Sequence, residues 1–328
     1  MASGSGQKLT IGVDVGGTNI RAGLVGARGR VYHRDKRPTP REGEAGEIVA
    51  AIVASIEAML SKPKVTRKKI TGIGVAAPGP LNTKTGVIMN PPNLPSWRDL
   101  PLKKILEKEL KIPVDLENDA NAAAVGEHWI GAGKNADSMI MITLGTGVGG
   151  GLIIGGKLWH GASDVAGEIG HTTIDPEGMR CACGNKGCLE VYVSATGIAE
   201  RMRSVLDQGG ESAVVEMLNG DRSKLTSELI YEAAEEGDLL ARLTLEDTGV
   251  YLGIGVANLV NVFNPELVVV GGGVTRAGRL LFDPMKAEAN KRSFQAAAKA
   301  VEIVPGELGD DAGIIGAART VMLRKRRS

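Results

Sequence analysis

The sequence predicts an α/β protein of roughly two domains, with parallel strands buried between helices. Strand-length apolar runs alternate with helical spacings along its 328 residues. Aromatic residues are only 3% of a chain that is 43% hydrophobic, so its cores must be built from Val, Ile, Leu and Ala. That mix suits parallel strands covered on both faces.

Residues 9–15 read as a strand that ends in Gly16-Gly17-Thr18, and a second apolar stretch, 20–25, follows at once. Residues 47–60 place Ile48, Ala51, Ile52, Ile56 and Met59 at helical spacing. A buried strand at 70–76 ends at Pro78-Gly79-Pro80. The proline-rich stretch 90–101 around Trp97 reads as a loop, 102–110 as a short helix and 114–116 as a strand. Asn118-Asp119 opens an alanine-rich helix that runs to Trp129. Residues 138–144 form a strand that ends in Gly145-Thr146-Gly147, and the strand pattern resumes over 149–154. Helices follow over 195–245, then a separate apolar helix over 249–262 despite its glycines. A buried strand at 265–270 ends in Gly271-Gly272-Gly273, and Asp310 or Asp311 caps a last helix reaching Arg326.

The net charge of +1 gives no electrostatic case for nucleic acid. The basic run 324–327 reads as a solvated helix end, favoured by the helix dipole. No apolar signal region opens the chain, and no stretch approaches the roughly 18 apolar residues of a membrane span. The longest candidate, 251–263, is short and carries Asn258 and Asn261. With unpaired thiols, a cytoplasmic protein without a membrane partner is expected.

All three cysteines fall in Cys181-Ala-Cys183-Gly-Asn-Lys-Gly-Cys188, with His171 just ahead of them. One imidazole and three thiolates match a closed tetrahedral Zn²⁺ site, and four protein ligands leave no open position for substrate, which favours a structural role. Gly184 and Gly187 permit the turns such convergence needs. Cys181 and Cys183 are too close in sequence for a comfortable disulfide, and the odd count leaves one thiol over. Redox-active or merely buried thiols are the other readings.

The three glycine turns each follow an apolar strand. Glycine there permits positive φ and lets backbone N–H groups approach phosphate oxygens. Thr18 and Thr146 add hydroxyl donors. Gly145, Gly147 and Gly150 also match a dinucleotide fingerprint, but that fingerprint needs a helix after the loop, and 151–154 reads as a strand. No P-loop motif is present. Glycines serving only as tight turns remain the plainer alternative at any one loop.

Asp14, beside the first turn, can hold Mg²⁺ against nucleotide phosphates, often through water. Asp119 stands at a strand-to-helix junction, where helix capping is the plain alternative. Glu168 and Glu190 flank the cysteine stretch, and taken singly each would be an ordinary surface carboxylate.

Together, Asp14-Val-Gly-Gly-Thr18-Asn-Ile-Arg21, Glu117-Asn-Asp-Ala-Asn121, Glu168-Ile-Gly-His171 and Cys181-Ala-Cys-Gly-Asn-Lys-Gly-Cys-Leu-Glu190 resemble the ROK family (repressor, open reading frame, kinase) over nearly the whole chain. Within it they are similar to bacterial ATP-dependent glucokinases, as is Ser194-Ala-Thr196-Gly197. The resemblance implies an actin-like (ribonuclease H-like) two-domain sugar kinase with an interdomain cleft where ATP and sugar meet. It implies Asp119 as catalytic base, and Asn118, Asp119, Glu168, His171 and Glu190 on sugar hydroxyls, with Gly79 and Asn93 lining the pocket. His171, Cys181, Cys183 and Cys188 become zinc ligands. Asp14, Gly16, Gly17, Thr18, Thr146, Gly147, Gly271 and Gly272 become the ATP and Mg²⁺ side of the site. The expected smaller domain is 1–117 plus 306–328, and the larger is 118–305. A homodimer is implied as well. Another hexose, such as N-acetylglucosamine, N-acetylmannosamine, mannose or fructose, is the alternative substrate. A sugar-responsive repressor is disfavoured, because the first strand begins near Leu9 and leaves no room for a helix-turn-helix domain.

Overall fold

The computed structural model describes residues 8–41, 43–91, 94 and 96–324. In chain order the elements are β1 (Leu9–Val15), β2 (Asn19–Gly26), β3 (Val31–Pro38), α1 (Ala45–Leu60), β4 (Ile70–Ala77), β5 (Leu81–Asn82), β6 (Val87–Ile88), α2 (Leu102–Leu110), β7 (Val114–Asn118) and α3 (Asp119–Ile130). Next come β8 (Met139–Leu144), β9 (Val148–Ile154), β10 (Lys157–Leu158), α4 (Glu190–Val193), α5 (Ala195–Asp207), α6 (Val214–Met217), α7 (Ser227–Glu235) and α8 (Leu239–Phe263). The last are β11 (Leu267–Gly271), α9 (Arg279–Arg292), α10 (Gln295–Ala300), β12 (Glu302–Pro305) and α11 (Ala312–Arg324). Among the described residues, no helix is long and apolar enough to cross a membrane.

The chain divides into two compact units. Unit one takes Met1–Asp137, Gly151–Gly167 and Glu307–Ser328; unit two takes Ser138–Gly150 and Glu168–Gly306. The expected boundary at 117/118 therefore differs from the observed one, and α3 belongs to unit one. The cause is close helix packing. A Cβ on Gly316 of α11 would lie 1.6 Å from the Ala122 carbonyl oxygen of α3, and one on Gly126 of α3 would lie 2.5 Å from that of Ala312. The two backbones meet with no side chain between them.

In unit one the strand order is β3-β2-β1-β4-β7. The short turn after β1 makes β2 its antiparallel neighbour, while the α1 and α2 crossovers make β4 and β7 parallel to it. Strand periodicity then assigns the faces. Ile11, Val13 and Val15 join Ile48, Ile52, Ile56 and Met59 of α1 in one core. Gly12 and Asp14 point the other way, toward α11. A Cβ on Gly12 would lie 2.0 Å from the Ile314 carbonyl oxygen, and one on Gly74 of β4 would lie 1.8 Å from that of Ala317. Sheet and helix are thus in contact through glycine. The edge strand β3 carries His33, Arg34, Asp35, Lys36 and Arg37, a charged run that discourages further pairing.

In unit two β8, β11 and β12 run parallel, and the start of β9 lies beside β8. Its longest helix, α8, is one 25-residue helix rather than two. Gly249 and Gly253 do not break it. They let α9 approach: a Cβ on either would lie 2.5 or 2.6 Å from the carbonyl oxygens of Leu281 or Met285.

Candidate active site and metal cluster

The predicted residues of unit one collect at the carboxyl ends of the parallel strands β1, β4 and β7, the end where open α/β sheets bind ligands. Asp14 faces Arg21 directly across the β1–β2 ladder. Gly313 of α11 leaves room for its carboxylate, since a Cβ there would lie 2.8 Å from Asp14 Cγ. Burial, and after it the charge of Asp119, raises the Asp14 carboxyl to about 7; Arg21 opposes the rise and Asp310 adds to it. Arg21 Nη2 is held by Asp310 Oδ2 at 3.1 Å.

Asn118 is the cap of α3: its side-chain oxygen accepts the Asn121 N–H at 3.1 Å. Asp119 is thereby relieved of the capping role and occupies the first helical position, its Oδ1 accepting the Ala120 N–H at 2.8 Å. Gly79 lies against Asn118, and a Cβ there would come 3.2 Å from Asn118 Nδ2. Asn93 lies outside the described residues, as do 325–327 of the terminal basic run. Glu117, in the motif but given no role by sequence, is 4% exposed and binds His160 Nε2 at 2.9 Å and Asn121 Nδ2 at 3.3 Å.

The glycine turns divide by cause. A Cβ on Gly17, Gly145 or Gly273 would meet nothing within 4 Å, so the chain's own packing does not require glycine there. Gly16 is only mildly crowded, 3.1 Å from the Asn19 carbonyl oxygen. A Cβ on Gly147 would lie 2.5 Å from Glu190 Oε2 and one on Gly271 2.7 Å from Met141 Cε, so each would displace the end of a side chain rather than backbone. The expectation of positive φ holds at Gly272, with φ of 97°, and not at the other glycines of the three turns. The first two turns reverse into the next strand without a left-handed residue. The second and third turns end adjacent parallel strands, with Gly271 in register with Thr143. β9 follows the second turn as a strand, in agreement with setting the dinucleotide fingerprint aside.

In unit two, Glu190 opens α4, and its Oε2 accepts the Val148 N–H at 2.8 Å. A predicted sugar ligand thus touches the second glycine turn. Ser194 caps α5, and Thr196 Oγ1 donates to the Thr146 carbonyl at 3.0 Å, holding the same turn from behind. Glu168 is exposed just before the 3-10 turn that carries His171.

The ligand atoms of His171, Cys181, Cys183 and Cys188 all lie within 4.8 Å of one another. Cys183 and Cys188 Sγ are 3.6 Å apart, and Cys181 Sγ is 3.7 Å from His171 Nδ1. A tetrahedral ion with Zn–S of about 2.3 Å and Zn–N of about 2.0 Å sets ligand separations of roughly 3.5–3.8 Å, so the group fits zinc. Burial above all pushes the Cys188 thiol up to about 12, a cost that a bound cation reverses by ionising the thiol outright. Gly184 and Gly187 have φ of 96° and 64°, as the convergence requires.

A cleft of about 170 Å³ in unit two adjoins the third turn at Gly273, with Tyr231 and Glu228 of α7 and Val274 and Arg276 after the turn in its wall. Sequence reasoning missed these residues. Only their closeness to Gly273 marks Val274 and Arg276, and α7 reaches the cleft through tertiary packing.

The ROK family model matches residues 10–324. The chain belongs to the ROK family. Among ROK proteins, the glucokinase of Halalkalibacterium halodurans is 41% identical over 93% of this chain and 92% of its own length. The xylose repressor of Caldicellulosiruptor bescii is 34% identical over 95% of this chain and 77% of its own. The crystal structure of a ROK glucokinase from Streptomyces griseus, in complex with glucose and AMPPNP, superposes with a TM-score of 0.85 at 37% identity, covering 96% of this chain and 99% of that one. The fold is accordingly the actin-like α/β fold of ROK sugar kinases.

Proposed function

We propose that the protein transfers the γ-phosphoryl group of ATP to the 6-hydroxyl of glucose, with Asp119 as general base. The observation that carries this reading is the local chemistry at the start of α3: Asn118 takes the capping duty, and Asp119 presents a carboxylate electrostatically coupled to Asp14 beside the first glycine turn. A base next to a phosphate-facing carboxylate is what phosphoryl transfer to an alcohol needs. The likeness to a glucokinase solved with glucose and an ATP analogue supports it.

A sugar hydroxyl is a weak nucleophile. Asp119 orients it and accepts its proton as the oxygen attacks the γ-phosphorus and the bond to the β-phosphate oxygen breaks, leaving ADP. Asn118, Glu168, His171 and Glu190 hydrogen-bond the remaining hydroxyls and reject ligands that cannot donate to them. Backbone N–H groups and the hydroxyls of Thr18 and Thr146 face the phosphates. Asp14 would hold Mg²⁺; when bound, the ion neutralises phosphate charge. The Asp14 carboxylate, whose pKa burial and the Asp119 charge raise further than Arg21 lowers it, fits a cation ligand. Zinc on His171, Cys181, Cys183 and Cys188 is structural, holding the segment that carries Glu168 and Glu190. His171 Nδ1 faces the thiols, leaving Nε2 on the opposite side of the ring for a sugar hydroxyl. The cleft beside Gly273 takes the nucleotide base. A reducing, cytoplasmic setting and the implied homodimer belong to the same reading.

The test is an ATP-coupled assay over a panel of sugars and phosphoryl donors, polyphosphate included. Turnover of glucose supports the assignment. Turnover of N-acetylglucosamine, N-acetylmannosamine, mannose or fructose without glucose would reassign the substrate. Sequence-dependent DNA retention with no kinase activity would favour a repressor.

A further inference from the structure

We infer that Tyr192 is a positioning residue of the sugar site, its hydroxyl clamping the cysteine-bearing hairpin to the short helix that presents Glu190. The inference deepens the proposed kinase reading and rests on it for the role of Glu190.

α4 is four residues long, too short to orient Glu190 by itself. Tyr192, two positions on, is 4% exposed. Its ring stacks on Tyr251 of α8, with centroids 4.3 Å apart and planes 28° from parallel. The Arg201 guanidinium of α5 sits 5.0 Å from the Tyr251 ring centroid. It also donates to the Tyr192 carbonyl at 2.8 Å and to Thr248 Oγ1 at 2.9 Å. Tyr192 is therefore held from two elements, its ring by α8 and its carbonyl by α5. Its hydroxyl accepts the Met179 N–H at 3.2 Å and donates to Asp175 Oδ2 at 3.2 Å. Burial first, and the Asp175 charge after it, raise the phenol's pKa, which keeps the donor proton in place.

Those two partners close the turn that leads into Cys181. The Gly178 N–H bonds the Asp175 carbonyl at 3.0 Å, and the Gly187 N–H bonds the Met179 carbonyl at 2.8 Å. Two glycines keep the space clear. A Cβ on Gly178 would lie 1.9 Å from the Tyr192 hydroxyl, and one on Gly187 would lie 1.5 Å from the Asp175 carbonyl oxygen. The hairpin thus has two independent holds. The metal ligands gather one end, and the Tyr192 hydroxyl ties the other to the Glu190 helix. Glu190 is in turn fixed on Val148, so slack in the hairpin reaches a sugar ligand through α4.

Tyr192→Phe keeps the stack and removes only the hydroxyl. Losing its hydrogen bonds should raise KM for glucose about 5–15-fold, with kcat changed less than about twofold and KM for ATP unchanged. Bound zinc stays, but a chelator strips it several-fold faster, and the Met179 amide exchanges hydrogen faster in sugar-free protein. Asp175→Ala removes the hydroxyl's other partner, and the acceptor of the Glu177 N–H with it, and should raise the glucose KM in the same direction. A glucose KM within about twofold of wild type, with unchanged Met179 exchange in both variants, would overturn the inference. The exchange measurement needs no sugar. If wild-type protein binds no glucose, the kinase reading fails while the exchange still decides whether the clamp exists.

Discussion

Glu190 and Val148 are joined by a carboxylate-to-backbone hydrogen bond of 2.8 Å, which couples the proposed sugar ligand to the turn proposed to meet ATP phosphates. Gly147 makes the contact possible by having no Cβ. Glu190→Gln retains an oxygen for the Val148 N–H but gives up the charged acceptor. Its KM for glucose should rise roughly 10–100-fold, the value of a hydrogen bond to a charged group, with KM for ATP little changed. Glu190→Ala strands the Val148 N–H as well and should raise both constants. Steady-state kinetics with each substrate varied separates the two, and an unchanged glucose KM in the Gln variant would contradict the assignment.

Gly17 and Gly12 make a matched pair. Gly17 faces open space and has no positive φ, so Gly17→Ala should leave thermal stability nearly unchanged. It should raise KM for ATP by about tenfold or more, because the added methyl would occupy the room that the proposed function gives to phosphate. Gly12→Ala drives a methyl into the Ile314 carbonyl and should cost about 1–3 kcal/mol or more of stability. Calorimetry and kinetics on both variants check the contrast.

The zinc account predicts about one ion per chain by metal analysis. Cys183→Ser should lose the metal, lower the melting temperature and weaken glucose binding together, because the ligands and the sugar residues share one short segment. Metal loss with glucose affinity intact, measured by calorimetric titration, would uncouple them.

Asp14 gives the unliganded protein a signed pH dependence. Burial raises its carboxyl from the ordinary 3.8 to about 7 in the folded chain. The unfolded chain therefore releases the proton first. The stabilising contribution is full below about pH 4 and is lost as pH rises toward 7, by at most about 4 kcal/mol. Denaturant unfolding across that range should show the decline in wild-type protein and a flatter profile in Asp14→Asn.

Much of this was legible in sequence because the motifs sit where strands end. Residues 9–26 show apolar strand, glycines and apolar strand in their order, and the cysteine spacing announces its own convergence. The break at 117/118 was not legible, because α3 joins unit one through Gly126 and Gly316, whose partners are distant in sequence. β3 was hidden by the charges that suit an edge strand. The helix over 249–262 was legible despite its glycines, but its join to the helix before it was not, because Gly249 serves as a contact point for α9. Glu228 and Tyr231 carry no motif, since packing alone brings α7 to the cleft.

The central claim is glucose phosphorylation with Asp119 as base, and one paired measurement addresses it. ADP release is followed with glucose and ATP for wild-type protein and for Asp119→Asn, with glucose affinity measured on both. The account predicts glucose-dependent turnover forming glucose 6-phosphate in wild type. In the variant it predicts nearly unchanged glucose binding and a kcat lower by about 10²–10⁴-fold. Turnover by Asp119→Asn close to that of wild type would contradict it.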